Sequence, residues 1–144
     1  MSLSSEILGL IIGTAFILPA IFVIRKKRWD DLAWPLFLAT LPVWYMLFGV
    51  LTLDPTIVGK ELLYGLPFLC IGFLVWRIKS SLTLILIGLA WLSHGFYDVY
   101  HDLLFVNPGV FTWYPTFCAV VDLVAGGYLL IAYRKSFNLR SATP

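Results

Sequence analysis

Five long apolar runs follow one another along this chain, separated by charged or turn-forming residues. Each run is long enough to cross a bilayer as a helix, which takes about 20 residues. A water-soluble domain of 144 residues with 60% hydrophobic and 12% charged residues would lack the polar residues to cover its surface. The sequence therefore predicts an all-α integral membrane protein. Residues 1–144 are expected to form a single bundle of five transmembrane helices at 7–24, 32–53, 57–76, 82–101 and 115–133.

The lysines and arginines lie at alternate connections between the apolar runs. If the N-terminus is outside and the C-terminus is cytoplasmic, nine of the ten fall inside and only Lys60 falls outside. The nine are Arg25, Lys26, Lys27, Arg28, Arg77, Lys79, Arg134, Lys135 and Arg140. This asymmetry follows the positive-inside rule, and it predicts a multi-pass protein of the inner (plasma) membrane with the lipid bilayer as its partner. No basic stripe with interleaved aromatic residues is present, so we expect no nucleic-acid partner.

The polar residues of the fourth run are concentrated in its outer part, from Trp91 to Asp102. Both histidines of the chain, His94 and His101, lie in this segment together with Asp98 and Asp102. Spacings of three and four residues bring side chains to the same side of a helix. The polar groups of this segment are therefore predicted to converge on one side of the fourth helix.

The fifth run carries a carboxylate at a matching depth. At a rise of about 1.5 Å per residue, Asp122 lies about 10 Å below the outer boundary, at the level of His94. A carboxylate inside the hydrocarbon costs about 3 kcal/mol on insertion scales. We therefore expect Asp98 and Asp122 to face the bundle interior with the histidines as partners. Glu61, near the outer end of the third helix, is expected to join them.

One interpretation of this cluster is a metal site, because imidazole and carboxylate groups bind zinc, iron and manganese. The predicted ligands are His94, Asp98, His101 and Asp122. The two histidines are about 10 Å apart along a helix axis, so a shared site requires Asp98 to bridge them or the helix to end between them. Glu61 and Asp102 are expected to support the ligands or to carry protons. The candidate catalytic residues are His94, Asp98, Glu61 and Asp102.

Two other interpretations stay open. A pair of histidine and aspartate at the wall of an aromatic cavity would suit acid–base or binding chemistry on an apolar small molecule. The predicted lining of this ligand pocket is Trp91, Tyr97, Trp113, Tyr114 and Cys118. Alternatively, the polar residues satisfy one another as interhelical hydrogen bonds that join the fourth helix to the fifth.

The last third of the chain carries a pattern of residues in a fixed order. It reads Trp91-x-x-His94-Gly95-x-x-Asp98-x-x-His101, followed by Trp113-Tyr114-Pro115-x-x-Cys118 and Asp122. This pattern resembles that of an uncharacterised family of small bacterial integral membrane proteins. The resemblance implies a bacterial or archaeal inner-membrane protein in which these polar residues form one unit. It implies no particular activity.

The leading functional prediction is a polytopic inner-membrane protein with a His/Asp pocket facing the extracytoplasmic side. It would bind a divalent metal ion (Zn, Fe or Mn) or act as a metal-dependent enzyme on an apolar substrate. The alternative is a non-enzymatic protein that binds a lipid-like ligand, or a subunit of a larger membrane complex. Five helices are few for a transporter, so transport would require an oligomer.

Overall fold

The computed structural model describes residues 3–78 and 80–141 of the chain. Over these residues the chain forms the helices α1 (Leu3–Lys27), α2 (Asp30–Leu51), α3 (Pro55–Arg77), α4 (Ser81–Leu104) and α5 (Tyr114–Ser141). Each contains a segment long and apolar enough to cross a membrane. The prediction of an all-α chain with five such helices is confirmed. Most helix ends extend beyond the predicted bounds, because backbone hydrogen bonds continue through polar residues that hydropathy does not register. The exception is the end of α2, which stops at Leu51, before the predicted bound at residue 53.

Helices α2 and α3 form one hairpin, in which glycines of α3 face prolines of α2. Gly65 lies against the ring of Pro42. A Cβ atom at Gly72 would lie 2.6 Å from the carbonyl oxygen of Pro35. Small residues let helix backbones approach closely, which is the main source of packing energy between helices in lipid. The α2–α3 hairpin is therefore a tightly packed unit.

Helices α4 and α5 form a second hairpin by the same means. A Cβ atom at Gly126 would lie 2.9 Å from the carbonyl oxygen of Gly88. About two turns further along α4, Gly95 faces Asp122, whose Cβ atom would be 3.2 Å from an added Cβ. Helix α1 packs on the outside of this hairpin, with Gly13 against the backbone of Phe117. The contact at Gly95 brings the polar residues of α4 and α5 together.

The outward surface of the helices is apolar, and it includes large side chains that are mostly exposed. Phe22, Phe73 and Ile131 are 66%, 58% and 64% exposed. The interior is apolar at the end of the bundle where α1 ends, with Trp34, Ile87 and Leu129 in the core. At the opposite end the interior is polar. We call that opposite end, where α1 begins and where residues 52–54 and 105–113 connect helices, the site end.

Two connections at the site end are held by side chains. The carboxylate of Asp54 accepts a hydrogen bond of 2.8 Å from the backbone N–H of Thr56 and so caps α3. This backbone hydrogen bond lowers the pKa of the exposed Asp54 carboxyl. In the α4–α5 connection, Gly109 lies so close to the carbonyl of Phe48 that a side chain would not fit. The α4–α5 connection is thereby seated on the end of α2.

Candidate functional site

Two groups of polar side chains lie inside the bundle at the site end, and all of them are buried except the half-buried Tyr97. The first, which we call the triad, consists of His94, Asp98 and Asp122. The second, which we call the rim cluster, consists of Glu61, Tyr97, His101 and Asn107. The triad joins α4 to α5, and the rim cluster joins α3 to α4 and to the connection after it. The structure thus divides the predicted polar unit into two.

The triad is held together through one nitrogen atom of His94. The Nδ1 atom lies 2.7 Å from Oδ2 of Asp122 and 3.3 Å from Oδ2 of Asp98. All three side chains are at most 1% exposed. The i, i+4 spacing on α4 places His94 beside Asp98, and the close contact at Gly95 places α5 against both. The predicted contact between His94 and Asp122 is confirmed.

The triad has more hydrogen-bonding atoms than it has partners. Among the described residues, four buried side-chain nitrogen or oxygen atoms have no hydrogen-bond partner. They are Trp91 Nε1, His94 Nε2, Asp98 Oδ2 and Asp122 Oδ1. Three of them belong to the triad, and the fourth belongs to the residue one turn before His94 on α4. A buried polar atom without a partner costs about 1–3 kcal/mol, and a polar ligand or an ion among these atoms would remove that cost.

The spacing of the triad atoms fits a metal ion. One ligand atom from each residue can be chosen so that all three lie within 4.8 Å of one another. Two ligands bound tetrahedrally about 2.1 Å from an ion are about 3.4 Å apart. The separation of 3.3 Å between His94 Nδ1 and Asp98 Oδ2 matches this value. The distance of 2.7 Å from His94 to Asp122 is that of a hydrogen bond, and it would lengthen when an ion replaces the proton.

The rim cluster is built around the carboxylate of Glu61, which is 1% exposed. Its Oε1 atom accepts a hydrogen bond of 2.7 Å from the amide of Asn107 and lies 3.0 Å from Nε2 of His101. Its Oε2 atom accepts a hydrogen bond of 3.2 Å from the hydroxyl of Tyr97. Both carboxylate oxygens therefore have partners, so this cluster is satisfied without a further ligand.

Tyr45 of α2 connects the two clusters. Its hydroxyl donates a hydrogen bond of 2.9 Å to Oδ1 of Asp98 in the triad. Its ring stacks on His101 of the rim cluster, with ring centroids 4.8 Å apart. Its carbonyl oxygen accepts a hydrogen bond of 3.2 Å from the amide of Asn107. One residue of α2 thus fixes a triad carboxylate and packs against the rim cluster.

The structure places the predicted metal ligands in two different groups. It brings His94, Asp98 and Asp122 together, whereas His101 pairs with Glu61. A site shared by both histidines required the helix to end between them or Asp98 to bridge them. Helix α4 continues to Leu104, so the separation of the two histidines along it is kept and His101 stays outside the triad.

The sequence predicted that Asp102 would share the buried side of α4, and this prediction is wrong. Its side chain is 61% exposed, and its Oδ1 atom lies 3.4 Å from Nδ1 of His101. At about 100° per residue, Asp102 is rotated by about 80° from the direction of His94 and so lies at the edge of the polar stripe. It is the exposed member of an otherwise buried set.

The five residues predicted to line a ligand pocket lie in three places. Trp91 is in the apolar core, in edge contact with Trp34. Tyr97 lies between the two histidines, with ring centroids 5.6 Å from His94 and 5.3 Å from His101. The other three are on α5 or immediately before it, and they are Trp113, Tyr114 and Cys118.

Sequence reasoning missed two residues of the site, Tyr45 and Asn107. Tyr45 lies in an apolar run, where tyrosine is ordinarily an interface residue, and Asn107 begins Asn-Pro-Gly, a sequence that is typical of a turn. Its amide oxygen does form such a turn, since it accepts a hydrogen bond from the backbone N–H of Gly109. No local signal indicated that its amide nitrogen would reach Glu61.

Comparison of the chain with models of protein families, with curated proteins and with solved structures found no match. The resemblance of the last third to a family of small bacterial membrane proteins therefore stays a prediction.

Proposed function

We propose that this protein binds a divalent transition-metal ion through His94, Asp98 and Asp122 and uses it for chemistry within the membrane. The observation that carries the proposal is the triad itself, in which three potential ligands are buried within 4.8 Å of one another. The unpartnered oxygen atoms of Asp98 and Asp122 support it, because a cation would satisfy both.

The charge of the triad favours a doubly charged ion. Two carboxylates carry a charge of about −2, and an imidazole that binds a metal is neutral. A divalent cation would make the whole group neutral, which lowers the cost of placing it in a medium of low dielectric constant. The hydroxyl of Tyr45 would hold the carboxylate of Asp98 in position, as partners of metal ligands commonly do.

Three protein ligands would leave a coordination position open. Catalytic zinc sites also have three protein ligands, with water or substrate as the fourth ligand, whereas structural sites use four protein ligands. The proposed activity is therefore metal-dependent catalysis on an apolar substrate that reaches the site from the membrane. The ion would polarise a substrate oxygen or activate a water molecule.

We place the site end on the extracytoplasmic side of the inner membrane. Of the described cationic side chains, Arg25 to Arg28 and Arg77 lie at the opposite end of the bundle, and Lys60 lies at the site end. An excess of lysine and arginine is typical of the cytoplasmic side of a membrane protein. A reporter enzyme fused after Pro144 is expected to be active only in the cytoplasm, and activity outside would reverse the orientation.

A second function is favoured by the hydrogen bonds that cross between helices. His94 joins α4 to α5 and Tyr45 joins α2 to α4 without any ion. On this alternative the polar residues hold the hairpins together in a non-enzymatic protein that binds a lipid-like ligand or forms part of a larger complex. Mass spectrometry of molecules that purify with the protein tests this alternative.

Elemental analysis of the detergent-purified protein tests the proposed metal site. We compare the wild type with Asp122→Asn and with the matched control Glu61→Gln, which also turns a buried carboxylate at the site end into an amide. We expect about one ion of zinc, iron or manganese per chain in the wild type and the control, and less than about a tenth of that in Asp122→Asn. Metal lost equally from both variants, or absent from all three, contradicts the proposal.

The two histidines allow a second measurement, because each belongs to a different cluster. In protein labelled with ¹⁵N-histidine, titration with Zn²⁺ is expected to shift the ring resonances of His94 and to leave those of His101 nearly unchanged. The His101→Asn variant assigns the two sets of signals. Equal shifts at both rings would place the ion between the clusters and contradict a site made by the triad alone.

A further inference from the structure

We propose that Trp91 and His94 of α4 bind a neutral, apolar, ring-bearing molecule through its carbonyl oxygen, between α4 and the α2–α3 hairpin. Such a molecule would be the substrate of the metal site, and this assignment rests on the proposed function. Its binding by Trp91 does not, because an indole N–H donates a hydrogen bond whether or not an ion is present.

The indole N–H of Trp91 is a buried donor without an acceptor. Trp91 is 1% exposed, and its Nε1 atom has no hydrogen-bond partner among the described residues. Trp34 of α2 offers a direct comparison, because the two rings are in edge contact with centroids 5.8 Å apart. The Nε1 atom of Trp34 donates a hydrogen bond of 3.1 Å to Oδ1 of Asp30. Because an indole nitrogen only donates, a molecule that completes Trp91 must carry an acceptor.

A second unpartnered atom lies one turn further along α4, at Nε2 of His94. His94 is 1% exposed, and this nitrogen has no hydrogen-bond partner among the described residues. The two nitrogen atoms of an imidazole ring point in diverging directions, so Nε2 is directed away from the Asp122 carboxylate that Nδ1 contacts. A neutral imidazole that binds an ion through Nδ1 carries its proton on Nε2. His94 would then offer a second donor.

Both side chains lie on the side of α4 that faces the α2–α3 hairpin. Trp91 contacts Trp34 of α2, and the ring of His94 is nearly perpendicular to that of Phe68 of α3, with centroids 4.6 Å apart. Residues three positions apart are neighbours on a helix surface. A carbonyl oxygen has two lone pairs and accepts two hydrogen bonds, so one such oxygen can satisfy both donors.

The surroundings of the two donors favour a neutral molecule with a flat ring. Trp34 packs beside Trp91, and the rings of Phe68 and Tyr97 pack beside His94. Aromatic side chains pack well against flat rings in offset or edge-to-face geometry. None of the buried residues that the structure describes is a lysine or an arginine. A charged carboxylate or phosphate would therefore be buried without a counter-ion, which is costly.

The seam between α3 and α4 offers this molecule a way in from the lipid. Glycines bring the backbones together within each hairpin and between α1 and α5, whereas no described glycine contacts across α3 and α4. Aromatic rings fill the seam instead, with Tyr97 between Phe68 at 6.2 Å and Tyr64 at 6.3 Å. Tyr64 is 39% exposed on the outward surface. Side chains can change rotamer without moving a backbone, so the seam can open locally.

NMR of the indole N–H groups tests the site in the full-length protein, labelled with ¹⁵N-tryptophan and without added metal. The probes are acetophenone and ethylbenzene, which share a carbon skeleton, and only acetophenone has a carbonyl oxygen. We expect acetophenone to move the proton resonance of Trp91 downfield, as a new hydrogen bond does, and ethylbenzene to move it much less. The resonance of Trp34 is expected to stay nearly unchanged, because its N–H already donates to Asp30.

Trp91→Phe assigns the Trp91 signal and also tests the donor, since it keeps an aromatic ring and removes the N–H. The affinity for acetophenone relative to that for ethylbenzene, measured by equilibrium dialysis, is expected to fall about 10-fold. Trp44→Phe is the matched control on the outward surface, where Trp44 is 51% exposed, and it is expected to keep the wild-type ratio. An equal response of Trp91 to both probes, or an unchanged ratio in Trp91→Phe, overturns the proposal.

Repeating the dialysis with Zn²⁺ separates this site from the proposed function. An ion on Nδ1 of His94 fixes a proton on Nε2, so we expect Zn²⁺ to raise the affinity for acetophenone several-fold and that for ethylbenzene hardly at all. The same affinity for acetophenone with and without Zn²⁺ would remove His94 from the site. The response of Trp91 is measured without metal, so failure of the metal site leaves that result unaffected.

Discussion

The triad and the rim cluster are built from the same kinds of side chains, yet their hydrogen bonding is opposite. In the rim cluster three donors surround the carboxylate of Glu61. In the triad two carboxylates share the hydroxyl of Tyr45 and one nitrogen of His94, and two of the four oxygen atoms have no partner. Both clusters are buried at the same end of the bundle. The difference is therefore one of composition, since the triad has an excess of acceptors.

This difference indicates that the two clusters have different tasks. An excess of buried acceptors is stable only when a proton or a cation joins them, whereas a satisfied carboxylate stabilises the fold by itself. The rim cluster joins α3, α4 and the α4–α5 connection, whereas the triad is the proposed site of an ion. Substitutions in the two clusters are therefore expected to have different effects on stability and on metal binding.

The largest contrast is expected in the stability of the metal-free protein. Glu61→Ala leaves the donors of His101, Asn107 and Tyr97 without their acceptor and is expected to lower the free energy of unfolding by about 3–5 kcal/mol. Asp122→Ala removes the hydrogen bond of 2.7 Å with His94 together with an unpartnered oxygen, and His94 can still donate to Asp98, so a smaller loss of about 1 kcal/mol is expected. Thermal unfolding in detergent measures both. Equal losses would contradict this prediction, because they would mean that the two clusters contribute equally to the free energy of unfolding.

Addition of a metal ion is expected to stabilise the Glu61 variant and not the Asp122 variant. Zn²⁺ at about 100 times its dissociation constant should raise the free energy of unfolding of the wild type by about 2.7 kcal/mol. Glu61→Gln is expected to gain as much above its own baseline, and Asp122→Asn to gain almost nothing. The same unfolding measurement with and without chelator tests this. Stabilisation of Asp122→Asn by Zn²⁺ would place the ion elsewhere.

A smaller effect is expected where the clusters meet. Tyr45→Phe removes the hydrogen bond to Asp98 and keeps the ring that stacks on His101. We expect the affinity for the ion to fall about 10- to 100-fold, as when other partners of metal ligands are removed. Titration with a competing chelator gives this affinity. An unchanged affinity would show that the orientation of Asp98 does not depend on α2.

The smallest effect is expected from the contact that brings α4 to α5. A Cβ atom at Gly95 would lie 3.0 Å from Leu123, so Gly95→Ala requires a shift of a few tenths of an ångström beside Asp122. We expect a loss of metal affinity of a few fold. Gly127→Ala is the control, because an added Cβ there meets nothing within 4 Å, and helix propensity favours alanine by about 1 kcal/mol. A greater loss of affinity in Gly127→Ala would contradict this account of the contact.

The sequence predicted the five helices because each has a long apolar run, and hydropathy is a property of single segments. It predicted the contact of His94 with Asp122 because depth along a helix follows from counting residues. The sequence did not predict that His101 lies outside the triad. That separation depends on which neighbour each side of α4 meets, and α3 offers Glu61 to His101.

The sequence by itself determined where the polar residues lie along each helix, since the rise and the period of a helix are fixed by its backbone. Only the tertiary structure decided which of them touch. Tyr45 and Asn107 enter the site because of the rotation of α2 and the path of the α4–α5 connection. Both are set by contacts between distant segments, such as that of Gly109 with Phe48, which no local pattern encodes. The division into a satisfied cluster and an acceptor-rich triad is therefore a property of the packed hairpins.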